Sequence, residues 1–142
     1  MIGYIIGGII PAVLLGVYSI LQKAAAQRGI SPGMMLMVIG ISAVTVGAVY
    51  CRLTQETRIS TASGILAGLS GLVWAVATCL VAIGMTRFQA PISKLVPLYN
   101  MNTLVAVILG LLIFAEWKSV HSWQLLAGSV LIVIGGTLAA TA

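Results

Sequence analysis

Five stretches of roughly 20 apolar residues, each closed by a short polar break, decide what this chain can fold into. A helix of that length matches the hydrocarbon thickness of a bilayer. The runs cover about residues 2–22, 33–51, 61–85, 90–115 and 120–140. They do not alternate polar and apolar residues as barrel strands do, so helices are predicted. Composition excludes a soluble globule. Of 142 residues 61% are hydrophobic and 6% charged, with mean hydropathy +1.17, whereas about a quarter of a soluble domain is charged. The expectation is an all-α integral membrane protein with five transmembrane helices. It forms a single membrane domain over residues 1–142, multi-pass in the cytoplasmic (inner) cell membrane.

The breaks carry ordinary turn chemistry. "QKAAAQRGISPG" holds Lys23, Arg28, Gly29, Pro32 and Gly33, a helix stop followed by a turn. "RLTQETRIS" supplies Arg52, Glu56 and Arg58, with Ser60 or Thr61 placed to cap the third helix. "TRFQAP" leads into Pro91, which suits the first turn of a helix. In "EWKSVHSW", Trp117 and Trp123 occupy the interfacial belt. The start, "MIGYIIGGIIPAVLLG", lacks a positive leader segment and its apolar run is too long for a cleaved signal. It reads as a retained first span.

Several function classes drop out. The net charge of +5 comes from basic residues scattered singly between apolar runs, the usual habit of membrane proteins, so no nucleic-acid partner is expected. Cys51 and Cys79 make no disulfide framework, and one histidine, His121, with two glutamates gives no metal-ligand set. No phosphate loop or nucleophile–base pair is visible. An enzyme is not expected, nor a cofactor or metal. Membrane lipid is the expected surroundings.

Lys and Arg counts do not select an orientation. One side of the membrane would carry Arg52, Arg58 and Lys118, the other Lys23, Arg28 and Arg87, with Lys94 flanking. A chain so balanced either inserts both ways up or is oriented by hydrophobicity or a partner. In the first case, two antiparallel copies would make ten helices about an in-plane two-fold axis, the inverted-repeat plan of many secondary transporters. Small residues at four-residue spacing, Gly3 with Gly7, Gly8 with Ala12 and Gly16, Gly64 with Gly68, suit close helix packing. Gly128 and Gly135, a heptad apart in "GSVLIVIGG", mark a helix seam within or between subunits.

The fourth run is the anomaly: "PISKLVPLYNMN" sets Lys94, Tyr99, Asn100 and Asn102 in hydrocarbon. An intramembrane charge is costly and marks a pathway unless it snorkels to the interface, as Lys94 can one turn into its helix. Tyr99 and Asn102 fall on one side of a helix and Asn100 on another. A lipid-facing helix does not carry polarity on two sides, so this span is expected to touch neighbours or a cavity. Pro97 removes a backbone donor and disturbs the turn around the Ser93 carbonyl. Two readings stay open: the amides line a solute path, or they bond to adjacent helices. Tyr18 and Trp74 are cavity walls or filler. Glu116 sits where a carboxylate favours the N-terminus of the last helix, a structural cap or loop anchor rather than a proton carrier.

The last fifty residues or so, from "APISKLVPLYNMN" through "FAEWKSVHSW" to "GSVLIVIGGTL", resemble the C-terminal part of an EamA-type repeat of the drug/metabolite transporter superfamily. Pro91, Pro97, Gly110, Glu116, Gly128 and Gly135 carry the resemblance, and Pro11, Gly16 and Lys23 fit it loosely. Members usually hold two such repeats, so the resemblance implies a half-size unit that pairs, as a homodimer (antiparallel if dual topology holds) or with another half-unit. "GSVLIVIGG" is also similar to the dimer seam of the small multidrug resistance branch. That branch needs a glutamate in its first span, and "IIGGIIPAVLLGVYSI" has none.

The expectation is therefore a secondary transporter or exporter half-unit that moves a small metabolite or amphiphile by alternating access. Its expected substrate-binding residues are Lys94, Tyr99, Asn100, Asn102, Trp74 and Tyr18, with Pro11 and Pro97 as helix breaks. Gly128 and Gly135 serve packing, and Glu116 the cap. The rivals are a lipid-linked sugar flippase subunit and a non-transporting accessory membrane protein.

Overall fold

The computed structural model describes residues 1–118 and 120–142. Five helices among them are long and apolar enough to cross a membrane: Ile2–Gln27, Pro32–Thr54, Thr61–Thr86, Ile92–Ile113 and Ser122–Thr141. They divide into two compact units, Met1–Gln89 and Ala90–Ala142.

The first unit holds three spans. The first begins as a short helix, α1 (Ile2–Tyr4), widens into a π turn (Ile5–Ile9) and continues as α2 (Ile10–Gln27). The widening has a local cause. Pro11 brings no N–H, and its ring crowds the carbonyl four residues back in an α-helix. One looser turn, in which Ile10 N–H reaches Ile5 O, accommodates it. The helix runs five residues past the end expected from the apolar pattern, because Gln22, Lys23 and Ala24–Ala26 are strong helix formers whatever their polarity. Gly29, at φ +85°, ends it in the left-handed conformation that glycine adopts without penalty.

α3 (Pro32–Thr54) starts on a first-turn proline, and α4 (Thr61–Thr86) starts on a capping box. Ser63 N–H donates to Ser60 Oγ at 3.2 Å, and Ser60 N–H donates to Ser63 Oγ at 3.0 Å. Of the two caps the sequence offers, Ser60 and Thr61, the structure uses Ser60. Ile59 folds over the same turn, its Cδ1 3.2 Å from where a Cβ on Gly64 would stand. It is a hydrophobic staple closed on a glycine. Gln55 and Gln89 leave their helices with positive φ, 57° and 52°. Each donates from Nε2 at 2.7 Å to the carbonyl three residues back, Arg52 and Thr86 respectively. Both α2 and α3 pack on α4, and the two connections make α2 and α4 run the same way.

The second unit is a broken span and its return. α5 (Ile92–Tyr99) and α6 (Asn102–Ile113) together form the fourth span. A 3-10 turn (Glu116–Lys118) precedes α7 (Ser122–Thr141), which packs against both α5 and α6.

Lipid is the solvent this surface fits. Among the described residues the buried apolar ones are Met35, Ala82, Met85 and Leu111, while leucine, isoleucine and valine line the outside of every span. A soluble monomer exposes no apolar surface on that scale. Hydroxyls inside the spans are satisfied locally. Ser42, Thr45, Thr86, Ser129 and Thr137 each donate to the carbonyl four residues back, at 2.8–3.0 Å. Their polarity therefore needs neither water nor a neighbouring helix.

Candidate functional site

The break in the fourth span lies three residues after Pro97. Proline leaves the Ser93 carbonyl without its usual donor. The chain then tightens: Met101 N–H bonds Leu98 O, Thr103 N–H bonds Asn100 O and Leu104 N–H bonds Met101 O, each at 3.1 Å. These are three-residue steps in place of four. Thr103 Oγ1 also donates to the Asn100 carbonyl, at 2.8 Å. The sequence predicts a disturbance at Pro97; the non-helical residues are Asn100 and Met101.

α7 meets this break at a glycine. A Cβ on Gly136 would stand 2.7 Å from the Pro97 carbonyl oxygen, 3.3 Å from its carbon and 3.4 Å from Met101 Cγ. Real Cβ atoms essentially never approach backbone below 3.0 Å. The break is held because residue 136 has no side chain. Gly128 and Gly135, the two glycines the sequence singles out, have open space at the Cβ position, as do Gly3, Gly7, Gly8, Gly16 and Gly68. Only a close approach in three dimensions separates Gly136 from its neighbour, and no residue pattern carries that.

Met101 turns toward α7, and its two sequence neighbours diverge from it by about 100° each way around the helix. Asn100 and Asn102 are both exposed, and their side-chain amides make no hydrogen bond among the described residues. Asn102 stands ten residues from Ile92 and eleven from Ile113, at the middle of the span. Lys94 and Tyr99 are half-buried on α5, with Lys94 in its first turn. Within its own unit, the neighbour expected for this span is supplied by α7. The amides are not sealed in protein.

Glu116 folds back along its own unit. Its Oε2 lies 3.1 Å from where a Cβ on Gly110 would stand, near the end of α6. The first turn of α7 holds no acidic residue, and its N-terminal cap position is His121. The carboxylate thus lies over the helix that precedes it in the chain.

The remaining predicted residues belong to the first unit. Pro11, Leu14, Leu15 and Tyr18 on α2, with Trp74 on α4, line one apolar groove of about 360 Å³. Its α2 wall is a single helical stripe with steps of three and four. Sequence reasoning missed one member of that stripe. Gln22, four residues beyond Tyr18, is 5% exposed, and its Nε2 has no hydrogen-bond partner among the described residues. Ser19, on the same helix, is also buried, but its hydroxyl donates to the Leu15 carbonyl at 2.9 Å. The signal for Gln22 was its place in the stripe, obscured because the first span was expected to end there.

The six expected substrate-binding residues thus fall into two groups. Tyr18 and Trp74 share a groove with Pro11, while Lys94, Tyr99, Asn100 and Asn102 lie along the broken span. No group of three or more metal-ligating side chains occurs among the described residues. Comparison with family models, curated proteins and solved structures finds no match.

Proposed function

We propose that this multi-pass membrane chain is half of a secondary transporter, two copies of which enclose a solvated path beside the broken fourth span. The supporting observation is the pair of exposed amides, Asn100 and Asn102, at mid-span beside a helix break and without hydrogen bonds among the described residues. Hydrocarbon cannot satisfy an amide, and each unsatisfied polar group there costs several kcal/mol. Water, solute or a second subunit has to meet them. Lys94, near one end of the same span, would draw an anionic or zwitterionic solute toward the path. Alternating access would follow from one copy rocking against the other, with the fourth span bending at residues 100–101. The drug/metabolite transporter resemblance of the last fifty residues points the same way. The direct test is flux of a metabolite and amphiphile panel in liposomes. Asn100→Leu with Asn102→Leu should abolish flux without loss of the inserted protein; unchanged flux refutes the path.

The open glycines favour one other reading. Gly3, Gly7, Gly8 and Gly68 leave helix surfaces that another helix can approach closely, as an accessory protein docking a larger partner would use. No flux for any solute, with stoichiometric co-purification of one membrane protein, would establish it.

A further inference from the structure

We infer that the end of the first unit where α2, α3 and α4 converge is a gate, closed in this structure and built to part. The inference rests on the transport reading, since alternating access needs a closure that yields. Three observations carry it: where the burial lies, what fills it, and one enclosed amide. The buried residues of this unit are Ser19 and Gln22 on α2, Met35 on α3, and Thr78, Ala82 and Met85 on α4. Residues 12–17, 41–54 and 65–74 of the same helices are exposed throughout. Shared burial is thus confined to one end. Ser19 and Thr78 each stand eight residues from the ends of their helices, Gln27 and Thr86. At 1.5 Å per residue the seal is roughly 12 Å deep, less than half the hydrocarbon thickness.

What fills the seal parts easily. No leucine, isoleucine, valine or aromatic side chain is buried in it, and unbranched methionine repacks at little cost. The hydroxyls of Ser19 and Thr86 donate to carbonyls of their own helices, Leu15 and Ala82, so separating the helices breaks neither bond. Gln22 Nε2 is the exception to this local satisfaction. It is enclosed and has no hydrogen-bond partner among the described residues. Closure therefore carries the penalty of an unsatisfied buried donor, and water meets that donor once the helices separate. A methionine at residue 22 would fill similar space without the penalty. The amide brings the closed and open states near one another in free energy, as a moving element requires.

Thiol labelling of the full chain in lipid nanodiscs, where both faces meet solvent, tests the gate. In a Cys51→Ala, Cys79→Ala background, Phe88→Cys lies outside the seal, at a position 78% exposed, and sets the unhindered rate. Met85→Cys, at a position 1% exposed, should react with a small charged thiol reagent more slowly but measurably. The slowing should be roughly 10- to 1,000-fold, as for an open state populated at about 0.1–10%. Adding Gln22→Met should slow Met85→Cys about tenfold further, the weight of one unsatisfied buried amide, and leave Phe88→Cys unchanged. Ser19→Cys, isosteric and at the inner edge of the seal, should show the same dependence and serves if Met85→Cys fails to fold. Backbone amides of residues 78–85 should stay protected from hydrogen exchange while the thiols react, which separates a gate from unfolding. The gate is overturned by Met85→Cys reacting as fast as Phe88→Cys, by no reaction at either buried position, or by a rate indifferent to Gln22→Met. Exchange at residues 78–85 in step with labelling overturns it too. Gated labelling in a chain that carries no solute counts against the transport reading alone; flux through a chain whose buried thiols never react counts against this inference alone.

Discussion

Gly136→Ala is the most exacting test of how the fourth span is held. The added methyl would meet the Pro97 carbonyl oxygen at 2.7 Å, and that oxygen belongs to backbone. Ordinary contact needs about 0.7 Å more. A flexible side-chain tip would give way, but here α7 or the break itself must move. Overpacking of this kind costs about 1–3 kcal/mol. Gly135→Ala is the matched control. It adds the same methyl to the same helix, where nothing lies within 4 Å. Each variant gains the same intrinsic helix preference of alanine over glycine, roughly 0.5–1 kcal/mol. That gain cancels in the comparison. Unfolding in mixed micelles by titration with a denaturing detergent, followed by circular dichroism, should therefore place Gly136→Ala about 1–3 kcal/mol below Gly135→Ala. If the two variants unfold together, α7 does not close on Pro97 and the account of the break fails.

Two further substitutions grade the same logic. Gly110→Ala would set a Cβ 3.1 Å from Glu116 Oε2, the far end of a flexible side chain, so its cost in the same titration should stay below about 1 kcal/mol; a loss as large as that of Gly136→Ala would mean that Glu116 is rigidly held. Ser60→Ala removes one half of a reciprocal cap and should cost about 1 kcal/mol, seen as faster hydrogen exchange at Ser63 and Gly64 with the middle of α4 unchanged. Equal exchange in both proteins would mean that water caps this helix end as well as Ser60 does.

Apolar run length placed all five spans, because a bilayer forces every backbone group into an intrahelical bond and leaves length as the deciding variable. A cap at Ser60 or Thr61 was legible because capping is local chemistry, and the side-chain geometry settles it on Ser60. The end of the first span was not: Gln22 and Lys23 look like a boundary on hydropathy alone, yet helix preference carries the chain to Gln27. Pro97 announced a disturbance, but the helix resumes at Asn102, five residues on, with Thr103 and Leu104 still bonding three residues back. Gly135 and Gly136 are indistinguishable as letters; packing against Pro97 tells them apart. The Tyr18–Trp74 groove joins residues far apart in sequence, and helical spacing on α2 could suggest one wall but not the other.

Solvent access at Asn102 tests the central claim most directly. In a chain with Cys51→Ala and Cys79→Ala, Asn102→Cys should react in intact membranes with a small, charged, membrane-impermeant thiol reagent, while Val44→Cys, exposed at the middle of α3, should not. Bound solute or an added substrate should slow the reaction at residue 102. A thiol at residue 102 that stays unreactive in native membranes but reacts after denaturation would show that these amides meet lipid or dry protein, and the solvated path would be contradicted.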